Sequence, residues 1–128
     1  MKLLLDTHVV LWWVDQDNLL SSTAHSAIAE SENELLISAA TIWEIAIKVG
    51  IGKLTLSQPY REWMNRAIND LRASILPVSV DYADVQAKLA HHHGDPFDRM
   101  IVAQAIVERV AITSNDAIFD DYGVSRFW

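Results

Sequence analysis

The sequence predicts an α/β fold: a single three-layer sandwich with a central, mainly parallel sheet of four to five strands flanked by helices. Three observations predict it. Four short apolar runs alternate with longer amphipathic segments, the pattern of strands joined by helical crossovers. Within each run the apolar residues are consecutive rather than alternating with polar ones, as suits parallel strands covered on both faces. Hydrophobic residues make up 51% of 128 residues, enough for one large core and consistent with a single domain over residues 1–128.

In chain order, residues 2–5 form the first apolar run, followed by amphipathic segments at 9–14 and 22–32. The second run, 35–38, leads into a helical segment at 41–49, where Thr41 and Glu44 have the spacing of a capping box. Gly50, Gly52 and Pro59 punctuate residues 50–59, a loop joining that helix to the next, predicted over 60–73. A third strand is predicted at 75–80 and helices at 82–91 and 97–109. Asp95, Pro96 and Asp98 read as N-cap, N1 and N3 of the last helix. A fourth strand follows at 110–113, and residues 124–128 are extended enough to add an edge strand.

Composition narrows the chemistry. With no cysteine, thiol catalysis, cysteine-ligated zinc and a disulfide framework are excluded, and a reducing compartment is compatible. Only three leucines separate Lys2 from Asp6, too short a run for a signal peptide. No apolar stretch approaches the roughly 18 residues of a membrane span. The expectation is a soluble cytoplasmic protein. Seventeen acids against ten bases give a net charge of −7, which argues against a nucleic-acid partner unless the acids are offset locally. Two bound divalent cations would offset about four of those charges where a phosphate must sit. Lys48, Lys53, Arg61, Arg66 and Arg72 also concentrate five of the ten bases in one stretch of 25 residues.

The acids fall at telling places. Asp6 directly follows Leu3-Leu4-Leu5, Glu44 lies at the start of the helix after the second run, and Asp116 comes at the end of the last run, Ala111-Ile112-Thr113. Ligands of open parallel sheets bind at the carboxyl ends of the strands, so these acids are expected to converge, with Asp98 joining them from its helix N-terminus. Packed carboxylates repel one another and take up protons unless a cation intervenes. Oxygen-only ligands favour magnesium or manganese over zinc, and such a metal activates water for phosphodiester hydrolysis. Each acid also has a structural reading. Capping and an i,i+4 pair with Lys48 account for Glu44, helix-terminus placement for Asp98, and a turn after Asn115 for Asp116. Asp6 resists such a reading, because a carboxylate straight after three leucines is partly buried and needs a partner.

Taken together, LLLDTHVVLWW at 3–13, SAATIWEIAIKVGIGKL at 38–54, HHHGDPFDRMIVAQA at 91–105 and ITSNDAIFDDYGV at 112–124 resemble the PIN domain, and most closely the VapC toxins of bacterial toxin-antitoxin pairs. The resemblance spans nearly the whole chain, and the order and spacing of four acidic motifs is more specific than any one of them. It implies that Asp6, Glu44, Asp98 and Asp116 are catalytic, metal-binding acids, with Asp95 accessory, and that Thr7 and Thr113 are polar neighbours placed to help hold metal-bound water. It implies a magnesium- or manganese-dependent endoribonuclease, a homodimer, silenced by a small DNA-binding antitoxin of the VapB type whose C-terminal segment covers the acidic pocket.

Several residues need separate weighing. Arg99 is a candidate phosphate contact and Lys48 a second substrate contact, each balanced by a surface-charge reading. His91, His92 and His93 cannot share one ion while helical, since successive side chains turn by about 100°; a helix C-terminus is the simpler account. His8, two residues past Asp6, approaches the pocket, although metal-activated water needs no histidine base. Trp12, Trp13 and Trp43 lie in apolar helical stretches and read as core, whereas Trp63, flanked by Arg61 and Arg66, is a candidate base-stacking residue. Alternatives remain: a processing nuclease without an antitoxin, a receiver-like phosphoacceptor domain with acids at strand ends, or a catalytically silent binding module. The receiver pattern expects an acidic pair after the first strand and a lysine after the last, and here Thr7-His8 and Ser114-Asn115-Asp116 stand instead.

Overall fold

A computed structural model describes all 128 residues. Its strands are β1 (Lys2–Leu5), β2 (Glu34–Ser38), β3 (Ser74–Leu76), β4 (Ala111–Thr113) and β5 (Arg126–Phe127), and its helices α1 (Thr7–Asp15), α2 (Ser22–Ala29), α3 (Ala39–Gly50), α4 (Tyr60–Leu71), α5 (Val80–Ala87) and α6 (Pro96–Glu108). Short 3₁₀ turns at Asp17–Leu19 and Ala117–Tyr122 complete it. All five strands are parallel, in the order β3-β2-β1-β4-β5.

The three leucines of β1 are fully buried because β1 is central, with Leu4 in register with Leu36 on one side and Ile112 on the other. Leu3, Leu5, Leu35 and Ile37 face α1 to α4 through Val9, Val10, Ile28, Ile45, Trp63 and Met64. Leu4, Leu36 and Ile112 face the opposite layer, where α6 supplies Ile101, Val102 and Ala105. Period-two alternation along each strand therefore feeds two cores, which is why apolar residues follow one another in these runs.

The connection from β1 to β2 and on to β3 proceeds in one direction, and the chain then crosses to the far side of β1 to form β4. The gap between the carboxyl ends of β1 and β4 is thus the topological switch point, where such sheets bind ligands.

Three expectations are corrected. The third strand stops at Leu76 instead of residue 80, because Pro77 offers no N–H to a ladder and Ser79 caps α5, its Oγ accepting from the Tyr82 N–H at 3.4 Å. Thr41 and Glu44 do not form a capping box. Strand β2 runs directly into α3, and Ser38 is the cap, accepting the Ala40 N–H at 3.0 Å, which leaves Glu44 inside the helix. Helix α5 ends at Ala87, so the three histidines lie in the loop beyond it and are not residues of a helix terminus.

Candidate active site

Asp6 leaves β1 at the switch point and is only 3% exposed. Its backbone N–H donates to the Thr113 carbonyl across the β1/β4 gap at 3.1 Å. Its Oδ2 accepts the Ser114 hydroxyl at 2.8 Å, and the same Ser114 Oγ accepts the Asp116 N–H at 3.0 Å. One serine therefore fixes the buried carboxylate and the loop that follows β4. Burial pushes the Asp6 carboxyl above its usual range; Ser114, His8 and the Thr7 backbone pull it back, and Glu44 raises it further.

Glu44 is 4% exposed and reaches the same end of the sheet from the second turn of α3. Its Oε1 accepts the Thr7 hydroxyl at 2.8 Å, and that hydroxyl also meets Thr41 Oγ1 at 3.0 Å. Its Oε2 accepts Lys48 Nζ at 2.7 Å, and this bond raises the Lys48 ammonium above its usual range. Asp95 caps α6 as expected, its Oδ1 accepting from the Phe97 and Asp98 N–H groups at 2.9 and 3.0 Å. Asp98 follows in the first helical turn. Burial, then the charges of Asp95, Asp6 and Glu44, drive its carboxyl up to about 6, against the opposing hydrogen bond from His93.

Asp6, Glu44, Asp95 and Asp98 thus share one electrostatic field. Asp116 stands apart from it. It lies three residues beyond β4, is exposed, and caps the following 3₁₀ turn by accepting the Ile118 N–H at 3.0 Å. Its link to the cluster runs through its backbone N–H and Ser114. Thr113 is fully buried, with a hydroxyl that has no hydrogen-bond partner. No three acid or histidine side chains stand close enough to chelate an ion in this arrangement. By donor type and charge the cluster nonetheless fits a hard divalent cation: its donor atoms are oxygens, its carboxylates raise one another's pKa, and Lys48 is paired with Glu44 alone.

Two proposed substrate contacts are corrected. The Arg99 guanidinium is buried and donates to the carbonyls of Gln86, Leu89 and Ala90 and to the Tyr122 hydroxyl. It braces carbonyls at and just beyond the end of α5 and is not presented to a phosphate. Trp63 is 0% exposed and donates its Nε1–H to Asp15 at 3.0 Å, so it is core and does not stack on RNA. The reverse holds for Trp43. It is 63% exposed, edge-on to Phe97 with ring centroids 5.6 Å apart, because α3 turns that face outward.

Lys48 lies at the edge of a groove of about 590 Å³ whose walls include His8, Trp12 and Lys53. The His8 ring is exposed and tilted against Trp12 at 5.7 Å. A depression of about 560 Å³ at the opposite end of the sheet is lined by Glu30, Glu32, Glu34 and Asp70 and has no link to the cluster. Sequence reasoning missed Ser114 and His93. Ser114 stood between two marked residues, and His93 was set aside with its neighbours as part of a helix.

The chain matches the PIN domain over residues 3–124. It is 32% identical over 113 residues to Ribonuclease VapC22 of Mycobacterium tuberculosis, covering 88% of this chain and 85% of that protein. Its fold is similar to that of VapBC2 from Rickettsia felis bound to a DNA fragment from their promoter (TM-score 0.69, 16% identity, all of both chains). It also resembles FitAcB from Neisseria gonorrhoeae (TM-score 0.67, 20% identity, 98% of this chain and 96% of that one).

Proposed function

Because the chain belongs to the PIN-domain family, in its VapC group, we propose that it is a divalent-metal-dependent endoribonuclease acting as the toxin of a toxin-antitoxin pair. The observation that carries the reading is the buried Asp6 carboxylate, pinned by Ser114 at the switch point and sharing its field with Glu44 and Asp98. Such a set of acids holds a cation better than it holds three uncompensated charges.

Asp6, Glu44 and Asp98 would hold Mg²⁺ or Mn²⁺, with Asp116 approaching from the loop after β4. When bound, such an ion lowers the pKa of its water and offsets charge on the scissile phosphodiester. The residues around it keep the acids in place. Ser114 and the Thr113 carbonyl fix Asp6, while Thr7 and Lys48 orient the two oxygens of Glu44. Lys48, between the cluster and the groove, is the cation placed to meet a backbone phosphate. Lys53 adds a second cation to the groove, which Asp15 also lines.

The partners that fit are single-stranded RNA, a second copy of the chain, and a cognate VapB-type antitoxin such as the name VapBC implies for the structural relatives. The processing-nuclease reading shares the site and differs only in lacking that antitoxin. The receiver reading fails on topology, since β3-β2-β1-β4-β5 is not the 2-1-3-4-5 order of receiver domains. Induced expression tests the toxin role: growth should arrest with the native chain, continue with Asp6→Asn, and resume on co-expression of a small DNA-binding antitoxin, which the toxin reading expects to be encoded beside it. Unchanged growth on full expression of the native chain would contradict it.

A further inference from the structure

Asp98 and Arg99 are adjacent in the first turns of α6, yet their side chains are joined the long way round. Arg99 Nη1 donates to the Tyr122 hydroxyl at 3.2 Å. That hydroxyl lies 2.6 Å from His93 Nδ1, and His93 Nε2 lies 3.1 Å from Asp98 Oδ2. The polarity follows from the donor inventory. A guanidinium only donates and a carboxylate only accepts, so Nε2 carries a proton; in the neutral ring Nδ1 then accepts, and Tyr122 donates to it. The other acceptor within reach of Tyr122, the His93 carbonyl, is farther away at 3.5 Å.

Both ends of this chain are held by further hydrogen bonds. Arg99 is held by three carbonyls at and just beyond the end of α5. Asp98 is on the helix that Asp95 caps. His93 comes from the loop after α5 and Tyr122 from the 3₁₀ turn, so the bonds tie two loops to the start of α6.

We propose that His93 is a positioning residue that turns the Asp98 carboxylate toward the bound divalent cation, oriented for that task by Tyr122 and Arg99. The inference rests on the reading of Asp98 as a metal ligand. A carboxylate oxygen held by a fixed N–H leaves its partner oxygen free to ligate, and such supporting bonds typically contribute 10- to 100-fold in metal affinity.

Mn²⁺ binding to the intact chain, followed by calorimetry alongside thermal melting, provides the test. His93→Ala should weaken Mn²⁺ about tenfold or more, whereas His93→Gln, whose amide N–H replaces Nε2–H, should stay within about threefold. Tyr122→Phe should weaken binding in the native background but add nothing to His93→Gln, because the glutamine no longer depends on the tyrosine. Native affinity in a folded His93→Ala, or an equal effect of Tyr122→Phe in both backgrounds, would overturn the proposal. Should His93→Ala fail to fold, the glutamine and phenylalanine variants decide. Asp98→Asn separates the two readings. If it abolishes Mn²⁺ binding while His93→Ala does not weaken it, only the positioning role falls; if Asp98→Asn or the native chain shows that Asp98 holds no Mn²⁺, both fall.

Discussion

Asp6 shows how a single side chain joins stability to chemistry. Its carboxylate is buried and its pKa raised, so at neutral pH it destabilises the metal-free fold, a cost that the proposed metal would offset. Asp6→Asn keeps an acceptor for Ser114 and removes the buried charge. The melting temperature of the metal-free protein should therefore stay the same or rise, while RNA cleavage falls by at least about 100-fold. Asp98 makes the same point through pH. Its carboxyl titrates near 6 in the folded protein, against 3.8 ordinarily, so between these values the folded state binds more protons than the unfolded one. Its favourable contribution is present below about 4 and is lost as pH rises through 6. Denaturant unfolding of the metal-free protein should show stability falling across that interval, with added Mn²⁺ countering the loss. At this scale Asp6 was legible because three leucines before a carboxylate force burial. Ser114 and His93 were not. Their roles depend on the register of β1 with β4 and on where α5 stops, and neither is local in the chain.

At the scale of elements, helix ends decide what reaches the site. Asp95 caps α6 with two backbone bonds, so Asp95→Ala should cost about 1 kcal/mol in chemical denaturation and loosen the turn bearing Asp98. Trp63 belongs to the core formed by α4 and its neighbours. Trp63→Ala should cost about 3 to 5 kcal/mol, and Trp63→Phe, which gives up only the bond to Asp15 and some packing, should leave RNA affinity unchanged. Weakened RNA binding by a folded Trp63→Phe would restore the stacking role that burial denies it. The sequence located every strand and every long helix, because an apolar run or an amphipathic period is a local signal. It misjudged ends. A strand that passes directly into a helix, as β2 does into α3, puts the cap on the last strand residue, and the more familiar Thr41–Glu44 spacing then misleads. Arg99 was misread for a related reason: nothing near it in sequence announces that the carbonyls of the turn ending α5 lie beside it.

For the whole molecule, the strand order assembles the site. Returning from β3 to the far side of β1 places Asp6 beside Ser114, over a hundred positions later in the chain, and brings the starts of α3 and α6 to the same edge. Fold class followed from alternation alone; strand order did not, since periodicity carries no information about which strands are neighbours. Net charge was similarly uninformative, because −7 averages the acidic cluster with the Lys48–Lys53 groove beside it. If these carboxylates activate water through a divalent cation to cut RNA, the chemistry is written in the product ends. Single-stranded RNA treated with the purified chain and Mg²⁺ or Mn²⁺ should yield 5′-phosphate and 3′-hydroxyl ends, with no cleavage in chelator and none by Asp6→Asn. Cleavage that persists in chelator, or fragments ending in a 2′,3′-cyclic phosphate, would contradict it.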